Sequence, residues 1–322
     1  MIKRIMQAAF CSILAIGVGV AKAEYPDKPI NLLVPFTAGT TSDVLARMLA
    51  QHLQKTWGES VVVQNKPGAG GTIAMTQTMR APADGYTLVL TSSGTAAINP
   101  HLYKSKPYDT DRHFINVSIL AALPFVLTVA KASPVKTLAE YVAKAKAQPG
   151  ITSIGSTGVG SHQFLAGQQF MTAAGIKLNA IPYKGTPPQL LDLFGGALDS
   201  MMDNVATEIP LIREDKVTPL AVSSAARISQ LPDVPTFGEA GVPGFVSTPW
   251  YGLAAPKGTP PAVVAKLEKE TIAYLNQPDT RKKLEELGVT VVASTTADAT
   301  RRVASENKEF SGVIAKLGLE LQ

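Results

Sequence analysis

A buried strand that runs directly into a small-residue loop and then a helix is the feature that most constrains this fold. The strand is the apolar run 30–34, the loop begins at Pro35, and the helix keeps apolar residues at helical spacing from Val44 to Leu53. The first amides of a helix have no partner inside it and lie at the positive end of its dipole, so such loops bind anions. The loop has neither the Gly-Lys-Ser/Thr ending of a Walker motif nor three spaced glycines. We therefore expect it to bind a carboxylate.

The same arrangement recurs in the middle of the chain. Residues 151–154 fit a short strand, Gly155 to Ser161 a polar loop, and the next residues a helix. Two more strands end in polar residues, at 91–94 and at Asp203-Asn204. Because open α/β sheets bind ligands beyond the carboxyl ends of their strands, we expect these loops to surround one ligand.

Residues 1–23 have the pattern of a secretory signal peptide. Lys3 and Arg4 precede an apolar stretch, and Ala21-Lys22-Ala23 fits a cleavage site. The stretch is shorter than the roughly 20 residues of a membrane span, so we expect an exported, periplasmic protein. The sole cysteine, Cys11, lies in this segment. The mature chain then has no disulfide, no thiolate metal site and no cysteine nucleophile.

Most of the net positive charge also belongs to that segment. Without Lys3, Arg4 and Lys22, 27 of the 30 basic residues remain against 25 acidic ones. The chain has no run of lysine and arginine with interleaved aromatic residues, which argues against nucleic acid as a partner.

The length of 322 residues is sufficient for two domains, and strand, loop and helix patterns alternate along the chain. The apolar run through Pro124 indicates a first crossing between them. We predict an α/β fold with two domains joined by a hinge and a ligand cleft between them. Domain 1 is predicted at 24–124 plus 225–322, and domain 2 at 125–224.

The last third of the chain is predicted to belong to domain 1. The Pro- and Gly-rich residues 231–245 should wrap irregularly over that domain. Helices are expected at 261–275, 278–287 and 297–317.

An enzyme needs a reactive group, and the sequence offers none in a recognisable pattern. The four histidines are scattered, without the spacing of a metal site, and no Gly-x-Ser-x-Gly elbow occurs. Ser133-Pro-Val-Lys136 matches Ser-x-x-Lys only formally, in a proline-containing loop before a capping box at Thr137 and Glu140. We predict a protein that is not an enzyme and has no cofactor or metal.

A series of motifs resembles the exported solute-binding proteins of tripartite tricarboxylate transporters, the Bordetella uptake gene family. The motifs occur in order along nearly all of the mature chain, as YPDKPINLLVPF, SDVLAR, VVVQNKPGAGGT, DGYTLVL, IPYKGTPPQLLDLFGG, LAVSSAARISQLPDVPTFGEAG and Trp-x-Gly-Leu-x-Ala-Pro. The resemblance implies a type II periplasmic binding protein whose two domains close over a small carboxylic acid. It also implies that main-chain groups and water from both domains hold one carboxylate.

Three positions depart from the family pattern. Gly39-Thr40 stands where the family has Gly-Gly, and Phe164-Leu165 where His-Leu is common, with a histidine at His162 instead. Gln168 replaces a common glutamate. These departures concern side chains, so they bear on ligand specificity more than on the main-chain contacts to the carboxylate.

Polar and small residues of these loops form the predicted ligand site. The predicted ligand-binding residues are Phe36, Thr37, Ala38, Gly39, Thr40, Ser42, Ser92, Ser156, Thr157, Gly160, Ser161, His162, Tyr183 and Asp203.

Several of these side chains also have a structural interpretation. Asp43 fits an ion pair with Arg47 better than a ligand contact, and Ser161 fits a helix cap. His162 fits a locally satisfied histidine or a partner for an anion. Asp203 indicates either a structural turn, a water bridge, or a ligand with an amine, because a carboxylate repels an anionic ligand.

Other aromatic side chains near these loops differ in their expected roles. The phenol of Tyr183 is a better candidate contact than Lys184, which we expect to extend to water. Trp250 is expected in the core.

The expected function is capture of a small carboxylate by cleft closure, followed by delivery to the membrane permease subunits of a tripartite tricarboxylate-type transporter. The alternative is a binding protein that presents the ligand to a membrane sensor kinase. Dicarboxylates, citrate, aromatic acids, amino acids and vitamin acids all remain open as ligands. A monomer is the default oligomeric state.

Overall fold

A computed structural model describes residues 24–319. The predicted signal peptide, Cys11 included, lies outside the described residues. Within 24–319, no helix combines the length and the apolar character that a membrane crossing requires.

The first sheet collects strands from both ends of the described chain. Its order is β11-β4-β10-β3-β1-β2, with β1 parallel to β2 and β3, and β10 antiparallel to β3 and β4. The strands are β1 (Ile30–Val34), β2 (Val61–Asn65), β3 (Thr87–Ser92), β4 (Phe114–Ala122), β10 (Trp250–Pro256) and β11 (Thr290–Val291).

The second sheet is built from the middle of the chain. Its order is β7-β6-β8-β5-β9, with β6 parallel to β7 and β8, and β5 antiparallel to β8 and β9. The strands are β5 (Phe125–Ala130), β6 (Ser153–Ser156), β7 (Asn179–Pro182), β8 (Ser200–Asn204) and β9 (Val217–Val222).

Helices connect and cover both sheets. A 3-10 turn (Ala69–Gly71) and a π-helical turn (Gly94–Ile98) supplement them. The α-helices are α1 (Thr41–Trp57), α2 (Thr72–Met79), α3 (Asn99–Leu102), α4 (Thr110–His113), α5 (Leu138–Ala147), α6 (His162–Ala174), α7 (Thr186–Gly195), α8 (Val205–Arg213), α9 (Pro261–Leu275), α10 (Pro278–Glu286) and α11 (Thr296–Leu317).

The expected helices of the last third are present. Helix α9 has the predicted bounds, and α10 and α11 differ from them by one residue at one end. The capping box of Thr137 and Glu140 is also present at the start of α5.

Hydrogen bonds tie together the two places where the chain passes between the sheets. The Phe125 amide donates to Ser223 Oγ at 2.8 Å, and Ser223 Oγ donates to Ser247 O at 2.5 Å. The Leu123 amide donates to Pro249 O at 3.1 Å. These bonds link residues 123–125, 223 and 247–249 to one another, and we call them the connecting residues between the sheets. The domain bounds themselves stay a prediction.

The expectation that residues 231–245 cover the first domain is wrong for their second half. Leu231 and Val234 pack with the core of the first sheet. Phe237 and Phe245 instead pack with Phe170 of α6, at ring-centroid distances of 5.1 and 5.9 Å, in the core of the second sheet. Large aromatic side chains gain most by burial, so the cavity available to them decides the path of this segment.

Candidate functional site

A polar cleft lies where the carboxyl ends of β1, β3, β6 and β8 meet. It has about 380 Å³ of empty volume, part of it open to solvent. Both sheets contribute to its walls. The lining residues are Phe36, Thr40, Ser42, Ser92, Ser93, Phe125, Thr157, Ser161, His162, Gln163, Thr186, Asp203, Asn204, Pro249 and Tyr251.

The N-terminus of α1 forms one wall of the cleft. Thr40 is the N-cap residue, but its side chain makes no capping bond to the helix. Its hydroxyl instead donates to Thr37 O at 2.9 Å and lies 3.0 Å from Ser42 Oγ. The first-turn amides therefore keep their hydrogen-bonding capacity for an anion.

Asp43 holds this loop in place and does not line the cleft. Its carboxylate accepts from Arg47 Nε at 3.0 Å, from the Gly39 amide at 3.0 Å and from Asn65 Nδ2 at 2.9 Å. Burial works against ionisation, but these donors hold the pKa of Asp43 below its ordinary value. The predicted ion pair with Arg47 is confirmed.

The N-terminus of α6 forms the facing wall. Ser161 Oγ accepts from the Phe164 amide at 3.1 Å, which confirms the expected cap. Ser161 is 2% exposed and lines the cleft, so capping and a place beside the ligand coexist at this residue.

His162 connects this wall to the first sheet and to the connecting residues. Its Nδ1 lies 2.5 Å from Ser93 Oγ and its Nε2 3.0 Å from Ser247 Oγ. Burial, together with the charge of Arg302, lowers the pKa of His162 to about 3. The ring is therefore neutral at ordinary pH, with both nitrogens already hydrogen-bonded.

Asp203 ends β8 in the floor of the cleft and is 1% exposed. It accepts hydrogen bonds from Gln163 Nε2, from Thr186 Oγ1, and from the Asn204 amide at 2.7 Å. Burial raises the pKa of Asp203 to about 6 in spite of these donors. Asp203 is the only acidic residue among the described residues that line the cleft.

Six of the predicted site residues lie outside this lining. Ala38 and Gly39 are exposed, and Gly160 is buried against Asn99. Ser156 Oγ is buried without a partner and borders a separate small cavity behind α6. Thr37 Oγ1 is likewise buried without a partner.

Tyr183 is the sixth residue outside the lining. Its hydroxyl donates to Asp192 Oδ2 at 2.7 Å, and burial and this bond raise its pKa to about 12. The ring borders a neighbouring cavity with Lys184 and the Gly68–Gly71 turn. That cavity adjoins the cleft, because Phe36 and Thr157 line both.

The expected structural position of Trp250 is confirmed. It is 1% exposed, and its Nε1 donates to Glu306 Oε2 at 2.5 Å. Among residues 24–319, no group of three or more His, Cys, Asp or Glu side chains is arranged to hold a metal ion.

The comparisons with known proteins agree with this architecture. Residues 45–319 match the model of the tripartite tricarboxylate transporter family receptor. The chain belongs to this receptor family. Protein BugT of Bordetella pertussis, a similar relative, is 34% identical over 97% of this chain and 96% of its own length.

Solved structures of similar proteins share the receptor fold. R. palustris Rpa4515 with adipate has a TM-score of 0.89 and 34% identity, over 92% of this chain and 99% of its own. MatC (Rpa3494) from Rhodopseudomonas palustris with bound malate has a TM-score of 0.86 and 31% identity, over 90% of this chain and 100% of its own. The two-domain α/β fold of periplasmic binding proteins is thus the fold of this receptor.

The sequence did not reveal several lining residues of this receptor. Gln163 and Thr186 come from helix starts, where a capping or solvent position is the ordinary expectation. Tyr251 follows the buried Trp250 within β10 and carries no local signal of a site. Asn204 was placed with Asp203 at a strand end expected near the ligand, but it was not among the predicted ligand-binding residues.

Proposed function

We propose that this chain is a periplasmic receptor that binds a small carboxylate and delivers it to the permease subunits of a tripartite tricarboxylate-type transporter. The observation that carries the proposal is the pair of helix N-termini, α1 and α6, that line one cleft from the two sheets. Residues of both helix starts line the same space, Thr40 and Ser42 at α1 and Ser161, His162 and Gln163 at α6. A carboxylate between them bonds to both walls and so favours the closed form over the open one.

Closure brings together predicted domain 1 (24–124 plus 225–322) and predicted domain 2 (125–224). Residues 123–125, 223 and 247–249 serve as the hinge between them. The bound adipate and malate of two similar receptors support a carboxylate as the ligand class. The family's description as transporter receptors favours transport over presentation to a sensor kinase. We propose that the chain has no enzymatic activity, acts as a monomer, and is exported by the segment 1–23.

Thermal unfolding of residues 24–322 against mono-, di- and tricarboxylates tests the binding step. The protein is first unfolded and refolded to remove any bound ligand. A ligand at 100 times its dissociation constant stabilises by about 2.7 kcal/mol, which raises the melting temperature by about 5 °C or more. If no carboxylate produces a shift, the proposed ligand class is wrong.

Delivery is tested by uptake. Deleting the gene should abolish uptake of the radiolabelled ligand, and the Ser161→Trp variant should fail to restore it. Normal uptake in the deletion strain would contradict the transport role, even if binding is confirmed.

A further inference from the structure

The polar groups that line the cleft fall into two sets. The N-termini of α1 and α6 offer amide and hydroxyl donors, whereas Asp203 and Asn204 at the end of β8 offer acceptors. Among the described lining residues there is no lysine or arginine, and His162 is neutral. A ligand that satisfies both sets carries a carboxylate and, separately, a cationic donor.

Asn204 provides an acceptor that nothing in the protein satisfies. Its Nδ2 donates to Tyr251 OH at 2.8 Å and approaches Asp203 Oδ1 at 3.4 Å. The negative carboxylate fixes this orientation of the amide, because the reverse orientation would bring two oxygens together. Asn204 is 4% exposed, and its Oδ1 is buried with no hydrogen-bond partner. An unsatisfied buried acceptor is costly, so a donor from the ligand would relieve it.

Asp203 has a free lone pair beside that acceptor. Its Oδ1 accepts from Gln163 Nε2 and from the backbone amide of Asn204, whereas Oδ2 accepts only from Thr186 Oγ1. A carboxylate oxygen can accept more than one hydrogen bond. Oδ2 therefore retains capacity for a donor in the cleft.

A second buried carboxyl nearby does not neutralise Asp203. Glu208 on α8 is fully buried, and the Thr128 hydroxyl beside it lowers its pKa less than burial raises it. Burial and the charge of Asp203 raise the pKa of Glu208 to about 8, so Glu208 holds a proton at neutral pH. The other titratable groups of the cleft are Tyr251, whose burial raises its pKa, and neutral His162. At neutral pH the net charge of the cleft wall is that of Asp203.

We propose that the ligand is an α-amino acid, with its carboxylate on the loops of α1 and α6 and its ammonium group on Asp203 Oδ2 and Asn204 Oδ1. This inference rests on the proposed function and narrows its ligand class. The ammonium group supplies the cationic donor that the protein itself does not place in the cleft. It also removes the repulsion that a purely anionic ligand meets at Asp203.

Matched ligands that differ only at the amine position test this assignment. The set is L-aspartate, L-malate and succinate, then 2-aminoadipate and adipate, then L-leucine and 4-methylpentanoate. In calorimetry at pH 7.5, the amino acid of at least one set should bind at least about tenfold more tightly than its amine-free counterparts. The reason is that a charge-assisted hydrogen bond contributes at least that factor to the affinity.

Asp203→Asn keeps the acceptor for the Gln163 and Asn204 donors and removes the charge. It should weaken amino acid binding by about tenfold or more and leave the amine-free acids as tight or tighter. Glu208→Gln is the matched control, since it changes a neighbouring carboxyl that is already neutral, and it should preserve the preference. Without any variant, lowering the pH from 7.5 to 6 should reduce the preference for an amino acid over its amine-free counterpart, because Asp203 gains a proton while the ligand carboxylates stay mostly ionised.

The outcomes separate the two proposals. If amine-free acids bind as tightly as the amino acids and Asp203→Asn tightens them, the amino acid assignment is overturned while carboxylate capture stands. If no compound of either kind binds, the proposed function fails with it.

Discussion

Gly185→Ala is expected to weaken ligand binding by holding the cleft open. Gly185 lies between β7 and α7 on the second sheet, against Thr37 of the first. A Cβ at Gly185 would lie 2.0 Å from Thr37 Oγ1, 3.2 Å from Thr37 Cβ and 3.4 Å from Thr40 Cγ2. The backbone at Gly185 is extended, with φ 166°, so alanine fits the conformation and only the contact across the cleft is disturbed.

The size of the effect follows from the overlap. Thr37 Oγ1 must move by more than about 1 Å, and overpacking of this kind costs about 1–3 kcal/mol. Under the proposed closure only the closed form makes this contact, so the apparent dissociation constant should rise about 5- to 150-fold. The free energy of unfolding without ligand should change by less than about 0.5 kcal/mol, because in the proposed mechanism the unliganded protein is open and does not make this contact.

Calorimetry with the tightest carboxylate of the panel measures the change. Gly195→Ala, at the other end of α7 with nothing within 4 Å of its Cβ position, is the matched control and should bind as the wild type does. Thr37→Ala removes the clashing oxygen. The double variant Gly185→Ala, Thr37→Ala should therefore bind the ligand almost as tightly as Thr37→Ala alone. Unchanged binding by Gly185→Ala, or no recovery in the double variant, would refute closure through this contact.

Three further substitutions test other parts of the site. Ser161→Trp should fill the cleft at α6 and abolish the ligand-induced rise in melting temperature; unchanged affinity would remove that loop from the site. Glu208→Leu should raise the free energy of unfolding at pH 8 by about 2 kcal/mol, and by less at pH 5, in urea titrations. Folding raises the pKa of Glu208 from 4.5 to about 8, so the stability of the wild type falls as pH rises through that window. The gain from Glu208→Leu is therefore larger at pH 8 than at pH 5. His162→Gln should reduce the loss of stability between pH 7 and 5. Folding lowers the pKa of His162 from 6.5 to about 3, so the wild type takes up a proton when it unfolds in this range. An unchanged dependence of the unfolding free energy on pH would contradict this.

Local sequence patterns were sufficient for those parts of the site that local forces determine. The loop before α1, the Asp43–Arg47 pair and the Ser161 cap each depend on residues within four positions of one another. Alternating strand and helix patterns likewise indicated two α/β units. These features form in the same way whatever packs against them.

Contacts across the cleft could not be derived in this way. His162 was ambiguous in sequence because its partners, Ser93 and Ser247, are 69 and 85 residues away. Phe237 and Phe245 were assigned to the wrong side for the same reason, since only the fold reveals the space beside Phe170. The role of Asn204 depends on Tyr251, a residue of the other sheet.

We propose that the helix N-termini set how tightly an acid binds and that the end of β8 sets which acid binds. The Thr40 hydroxyl donates to Thr37 O, so this side chain stabilises the loop and leaves the first-turn amides of α1 to the ligand. Main-chain amides bind any carboxylate, and changes there should alter affinity for all ligands together. In the amino acid assignment proposed above, Asp203 and Asn204 bear the groups that distinguish an amino acid from an amine-free acid. Substitutions at the end of β8 should therefore change which ligand binds, whereas substitutions in the loop before α1 should change only how tightly.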